Sequence, residues 1–118
     1  MTPVDDLRIV FMGSPAFVIP VLEAAERTAA GQGGSVVAVY AAPDRPSGRG
    51  RAVQPSPVKR HAEAMGIPVL TPTRMTNADE TARFVALKAD LVVLAAYGLL
   101  LPKPFLFEPH HGAINVHP

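Results

Sequence analysis

Asn115 and His117 flank Val116 near the end of the chain, and their types and spacing suit acyl chemistry. On a β-strand, positions i and i+2 point to one side, so an amide and an imidazole would project together. An amide N–H can donate to a developing oxyanion. A neutral imidazole can accept a proton from an attacking nucleophile. Together they suit acyl transfer to an amine. Asn-x-His is a weak pattern alone, and the bland alternative is a surface Asn and a surface His at a chain end. His110 and His111 are nearby in sequence. Adjacent histidines seldom share a metal and no carboxylate ligand follows, so they read as loop residues and no metal is expected.

A second candidate is the loop Pro43-Asp44-Arg45-Pro46-Ser47-Gly48-Arg49-Gly50-Arg51. Between Pro43 and Arg60 stand Arg45, Arg49, Arg51, Lys59 and Arg60 against Asp44 alone, in a chain whose net charge is only +1. Arginine forks match phosphate oxygens. Prolines stiffen the loop and glycines let it approach a partner closely. It is either a solvated basic loop or a contact with a phosphate-rich partner, and the latter would be salt-sensitive. A third candidate is Tyr97-Gly98-Leu99-Leu100-Leu101-Pro102. An apolar loop of this kind either packs under a helix or walls a flat apolar ligand, with main-chain groups offering polar contacts. The turn Met12-Gly13-Ser14-Pro15 lacks the later glycines of a dinucleotide fingerprint and the Gly-Lys-Ser/Thr of a P-loop. It reads as a tight strand-to-helix turn.

The elements that must hold these residues follow from composition and pattern. The chain has 118 residues, 48% hydrophobic and 18% charged, which suits one globular domain and excludes disorder and coiled coil. With no Cys there is no disulfide frame, thiolate nucleophile or zinc ribbon. Asp5 and Asp6 stand where a signal peptide would be basic. The stretch Leu91 to Leu101 is far short of the about 20 residues of a membrane helix. A soluble, cytoplasmic protein with no membrane partner is expected.

Leu7 to Met12 predicts a buried strand ending at Gly13-Ser14-Pro15. Ser14 is a candidate helix cap, though Pro20 predicts an irregular first turn and a regular helix only from about Pro20. That helix carries an apolar stripe of Val18, Val21, Leu22, Ala25 and Ala29 and ends at Gly31. Val36 to Ala42 predicts a second buried strand, and Pro43 to Pro55 a loop. Ser56-Pro57 opens a helix that Gly66 closes, with Val58, Ala62 and Met65 inward and a Lys59–Glu63 pair outside. Ile67 to Leu70 is a short strand. Asn77 and Glu80 form a capping box for a helix to about Lys88. Leu91 to Ala96 and Ala113 to Val116 are the last strands. The alternation predicts an α/β fold, an open and mostly parallel Rossmann-like sheet with helices on both faces. Ligands of such sheets bind beyond the carboxyl ends of the strands, where all three candidates fall.

The segments Ile-Val-Phe-Met-Gly-Ser-Pro-Ala-Phe, Pro-Asp-Arg-Pro-Ser-Gly-Arg-Gly, Pro-Ser-Pro-Val-Lys, Ala-Tyr-Gly-Leu-Leu-Leu-Pro and Gly-Ala-Ile-Asn-Val-His-Pro occur in this order. The chain thereby resembles the methionyl-tRNA formyltransferases over residues 7 to 118. The Asn-x-His pair is shared with the wider 10-formyltetrahydrofolate-dependent formyltransferases; the arginine loop points to the tRNA-dependent members. The resemblance implies transfer of a formyl group from 10-formyltetrahydrofolate to the amino group of initiator methionyl-tRNA. It implies that Asn115 holds the oxyanion and that His117 manages the proton of the attacking amine. It implies that Arg45, Arg49 and Arg51 meet the acceptor end of the tRNA, and that Tyr97, Gly98, Leu99, Leu100 and Leu101 line the pterin pocket.

In that family the strand runs on into a Ser-Leu-Leu-Pro segment, a later Asp pairs with the His, and a β-barrel domain helps to hold tRNA. None of these is in the 118 residues. The expectation is that residues 1–118 are the amino-terminal part of a catalytic domain, inactive or nearly so alone and complemented by a carboxyl-terminal half. Two other readings are a related enzyme acting on a sugar nucleotide or glycinamide ribonucleotide, against which the arginine loop argues, and a non-catalytic fragment that binds tRNA or folate.

Overall fold

A computed structural model describes residues 6–46, 50 and 52–116. Strand β1, Arg8–Met12, sends Ile9 and Phe11 into one core and Val10 and Met12 into another. A strand apolar on both sides must lie inside a sheet covered on both faces, and β1 is the middle of five. The others are β2 (Ser35–Tyr40), β5 (Val69–Leu70), β6 (Leu91–Leu94) and β7 (Ala113–Asn115), in the order β5-β2-β1-β6-β7. All neighbouring pairs are parallel. The sheet is thus the α/β, Rossmann-like arrangement that the alternation predicts.

Helices α1 (Ile19–Gly31) and α2 (Pro57–Ala64) cover one face through Leu22, Ala25, Ala29, Val58 and Ala62. Helices α3 (Ala78–Ala86) and α4 (Lys103–Phe107) cover the other through Phe84 and Phe105. The chain runs outward from β1 through β2 to β5, then returns to β6 and β7. Its direction therefore reverses between β1 and β6, the position at which such sheets open a crevice.

Several local expectations are corrected. Ser14 caps no helix: its Oγ accepts from the Ala42 N–H at 2.9 Å. The irregular first turn is found as expected, a single 3-10 turn, Ala16–Val18, before α1. Helix α1 does end at Gly31, though the positive φ comes later, at Gly33. The segment between β2 and α2 contains an antiparallel ribbon, β3 (Arg45–Pro46) with β4 (Val53–Gln54). Met65 points outward at 55% exposure, because α2 ends one residue earlier and Gly66 turns the chain away at φ 76°. Lys59 pairs with Asp44 at 2.8 Å rather than with Glu63. Asn77 Oδ1 does accept from the Glu80 N–H at 2.8 Å, but the Glu80 side chain turns to Arg83. Helix α3 stops at Ala86, and Lys88 takes φ 53°.

Candidate functional site

The carboxyl ends of β1 and β6 are drawn together tightly. The Ala95 N–H donates to the Met12 carbonyl at 2.9 Å, and the Gly13 N–H to the Tyr40 carbonyl at 3.0 Å. A Cβ at Gly13 would lie 2.4 Å from the Ala95 carbonyl oxygen, so only glycine fits there. Ala96 then adopts φ 54°. For a residue with a Cβ, the left-handed conformation costs about 1–2 kcal/mol. The strain turns the chain sharply out of β6 and sends Tyr97 back over the strand ends.

Ser14 ties three elements into this rim. Its Oγ accepts from Ala42 beyond β2, and its carbonyl accepts from the Val58 N–H in the first turn of α2 at 3.2 Å. The ribbon is fastened to the same helix, Asp44 by Lys59 and Gln54 by Arg60 at 3.1 Å. The hydrogen bond with Asp44 also raises the pKa of Lys59. The one anion of the basic loop is therefore engaged, and Arg45 forms no ion pair among the described residues.

Two cavities open on the rim and share Ser14, Ala42, Pro43 and Arg45. One, of about 300 Å³, lies between the β1 turn, the ribbon and the start of α2, and adds Gln54, Pro55 and Ser56 to its lining. The other, of about 280 Å³, is walled by Pro72, Thr73, Tyr97, Gly98 and Leu99. Arg45 thus stands between them.

The structure brings Tyr97, Gly98, Leu99 and Arg45 to one cavity. Leu100 is 87% exposed and lines neither. Leu101 packs against the α3–α4 core. Asn115 ends β7 opposite Leu94, exposed, and also lines neither cavity. His117, Arg49 and Arg51 lie outside the described residues. Gly98 has open space where a Cβ would stand, so its backbone faces the cavity unshielded. That cradle, with Tyr97 and Leu99 beside it, fits a flat apolar group needing main-chain contacts. Burial, then the nearby Tyr40 and Glu80, push the Tyr97 phenol well above its ordinary pKa, so its hydroxyl keeps its proton. Among the described residues, no three His, Cys, Asp or Glu side chains are placed to hold a metal. No helix among them is long and apolar enough to cross a membrane.

Sequence reasoning missed Pro72 and Thr73, although the rule that pointed to the other strand ends applies equally to β5. It also missed the role of Ser14 as a tie, because Ala42 is 28 residues away.

Residues 7–118 match the formyl transferase family. The chain belongs to that family. Among its relatives is a methionyl-tRNA formyltransferase of Rhizorhabdus wittichii, 52% identical over 111 residues, which cover 94% of this chain and 35% of that protein. The methionyl-tRNA formyltransferase of Xanthomonas axonopodis pv. citri is 51% identical across 94% of this chain and 34% of its own length. That of Rhodopseudomonas palustris is 47% identical with the same two coverages. The chain spans about a third of the length of these formyl transferases.

Proposed function

We propose that residues 1–118 are the amino-terminal part of the catalytic domain of a cytoplasmic methionyl-tRNA formyltransferase. The observation that carries this reading is the pair of cavities meeting at Arg45, one walled by Tyr97, Gly98 and Leu99, the other bordered by the basic ribbon. The identity to enzymes of that name supports it.

In this reading Tyr97, Gly98 and Leu99 bind the pterin of 10-formyltetrahydrofolate, with Leu100 and Leu101 continuing the segment. The bound folate supplies an activated formyl carbon. The Asn115 amide donates to the formyl oxygen as the amino nitrogen of methionyl-tRNA bonds to that carbon. His117 takes the proton shed by this nitrogen, and the bond from the formyl carbon to the folate nitrogen breaks. The proton passes to that departing nitrogen, so charge and atoms balance. Arg45, Arg49 and Arg51 meet phosphates of the tRNA acceptor end. The remainder of the catalytic domain and a tRNA-holding domain come from outside these residues.

The test is formyl transfer by the full-length protein containing this chain, offered methionyl-tRNA or a sugar nucleotide. Transfer to methionyl-tRNA is expected, with activity lost in His117→Ala while folate binding is kept. Residues 1–118 alone should be inactive or nearly so and regain transfer with the complementary half. Transfer to the sugar nucleotide but not to methionyl-tRNA would overturn the reading.

A further inference from the structure

Among the described residues, Glu80 is the one buried charged side chain, at 8% exposure. Its Oε1 accepts from Arg83 at 2.9 Å, whereas its Oε2 is buried with no protein partner. The Tyr40 hydroxyl, at the end of β2, is also buried and unpartnered. The Tyr97 hydroxyl finds only the Met75 sulfur, at 3.7 Å, a weak acceptor. Tyr40, Met75 and Phe84 form one core cluster, and Tyr97 packs against it. The Glu80 charge is felt by both phenols.

These groups are complementary in kind. The carboxylate oxygen can only accept, and both hydroxyls can donate. Yet no direct hydrogen bond joins them. Buried polar groups in native proteins rarely stay unpaired, and neighbours that do not touch are commonly bridged by an internal water. We propose that one enclosed water links Glu80 Oε2 to the Tyr40 and Tyr97 hydroxyls, making Glu80 a positioning residue for the cavity wall at Tyr97, Gly98 and Leu99. The strained turn at Ala96 gives the wall reason to move if Tyr97 is released. The network rests on the unpaired burial of Glu80 Oε2 and the Tyr40 hydroxyl and on the packing of Tyr97 against the Tyr40 cluster; its bearing on ligand binding rests on the reading of this wall as the pterin pocket.

The sign of one stability change tests the network in the full chain. Deleting an orphaned buried hydroxyl leaves stability unchanged or raises it, whereas deleting a bridged one lowers it. Tyr40→Phe is expected to lower the melting midpoint by about 4–8 °C, and to lose most of that effect when Glu80→Leu is already present. If Glu80→Leu does not fold, Tyr97→Phe replaces it in the cycle. Tyr40→Phe should also speed amide exchange at Ala95, the last hydrogen-bonded amide before this wall, about tenfold while Val92 and Val93 in β6 keep their rates. A midpoint that holds or rises, additive variants, or exchange that changes equally in β6 would overturn the proposal. Binding of 10-formyltetrahydrofolate reports separately. A weakening of about tenfold in Tyr40→Phe extends the network's effect to the ligand. A wild-type protein that binds no folate yet keeps the coupling would overturn the pterin reading and support the network.

Discussion

The two faces of the sheet are packed by different chemistry. Under α1 and α2 the buried cluster is aliphatic apart from Phe11, and its polar neighbours His61 and Glu26 bring their buried Nε2 and Oε1 to 3.5 Å in the helix seam, the rest of each side chain partly exposed. Under α3 and α4 the cluster holds Tyr40, Phe84, Phe105, Met12 and Met75, with Phe84 and Phe105 stacked at 4.5 Å and Glu80 drawn in beside them. The first face can be built from branched aliphatics because it only has to hold. The second continues into the wall of a cavity at Tyr97, so it carries polar groups whose directions matter, at a cost in desolvation.

Truncating each face separates them most sharply. Phe84→Ala and Phe11→Ala should each destabilise by about 3–5 kcal/mol in thermal melts. Only Phe84→Ala should also alter the near-ultraviolet circular dichroism of the folded chain, because Tyr40 lies edge-on to Phe84 at 6.5 Å and both tyrosines sit on that face. An equal spectral change from Phe11→Ala would break the distinction.

The two glycines at the rim sharpen it further. Gly13→Ala forces a Cβ onto the Ala95 carbonyl and should cost about 1–3 kcal/mol in denaturant melts, since that contact fastens both faces. Gly98→Ala enters open space and should stay within about 0.5 kcal/mol of the parent, while weakening, in calorimetry, the folate binding that the proposed function assigns to this wall. A large stability loss at Gly98 would show that the wall is structural rather than open.

Alkali addresses the second face alone. Burial, with the Glu80 carboxylate adding and Arg83 opposing, pushes Tyr40 up to about 12 from an unfolded value of 10.0. The native state therefore keeps a proton that the unfolded chain loses. This stabilisation is whole below pH 10 and is lost as pH rises from 10 towards 12. Tyr97 shifts in the same direction. Tyrosinate absorbance should appear together with unfolding; its appearance near pH 10 in a folded chain would contradict the burial of both hydroxyls. The smallest effect belongs to the exposed margin. Lys59→Met should cost less than about 1 kcal/mol, and salt should erase the difference, because the Asp44 pair is open to solvent.

The architecture was legible because apolar runs bounded by Gly and Pro are long-range facts written locally: β1 and β6 could only be interior strands. What stayed hidden depends on contacts between distant segments. Ser14 looks like a cap until Ala42 is beside it. Met65 continues an inward spacing that α2 does not last long enough to honour. Lys59 has Glu63 at helical distance, but the ribbon brings Asp44 closer, and two-residue strands such as Arg45–Pro46 carry no periodicity to read. At the site, Tyr97 to Leu99 were found as a unit, whereas Glu80 reads as a surface capping residue, and its burial follows only from the packing of α3 against the sheet.

The ties at Ser14 make the ribbon, the first turn of α2 and the turn after β1 a single lever. A polyanion that grips Arg45 pulls on Asp44 and Gln54, through them on Lys59 and Arg60, and through Val58 on the Ser14 carbonyl. The load ends at Gly13, wedged against Ala95 with no slack. The rim is thereby joined to the strand tips by hydrogen bonds, an ion pair and chain neighbours among the described residues.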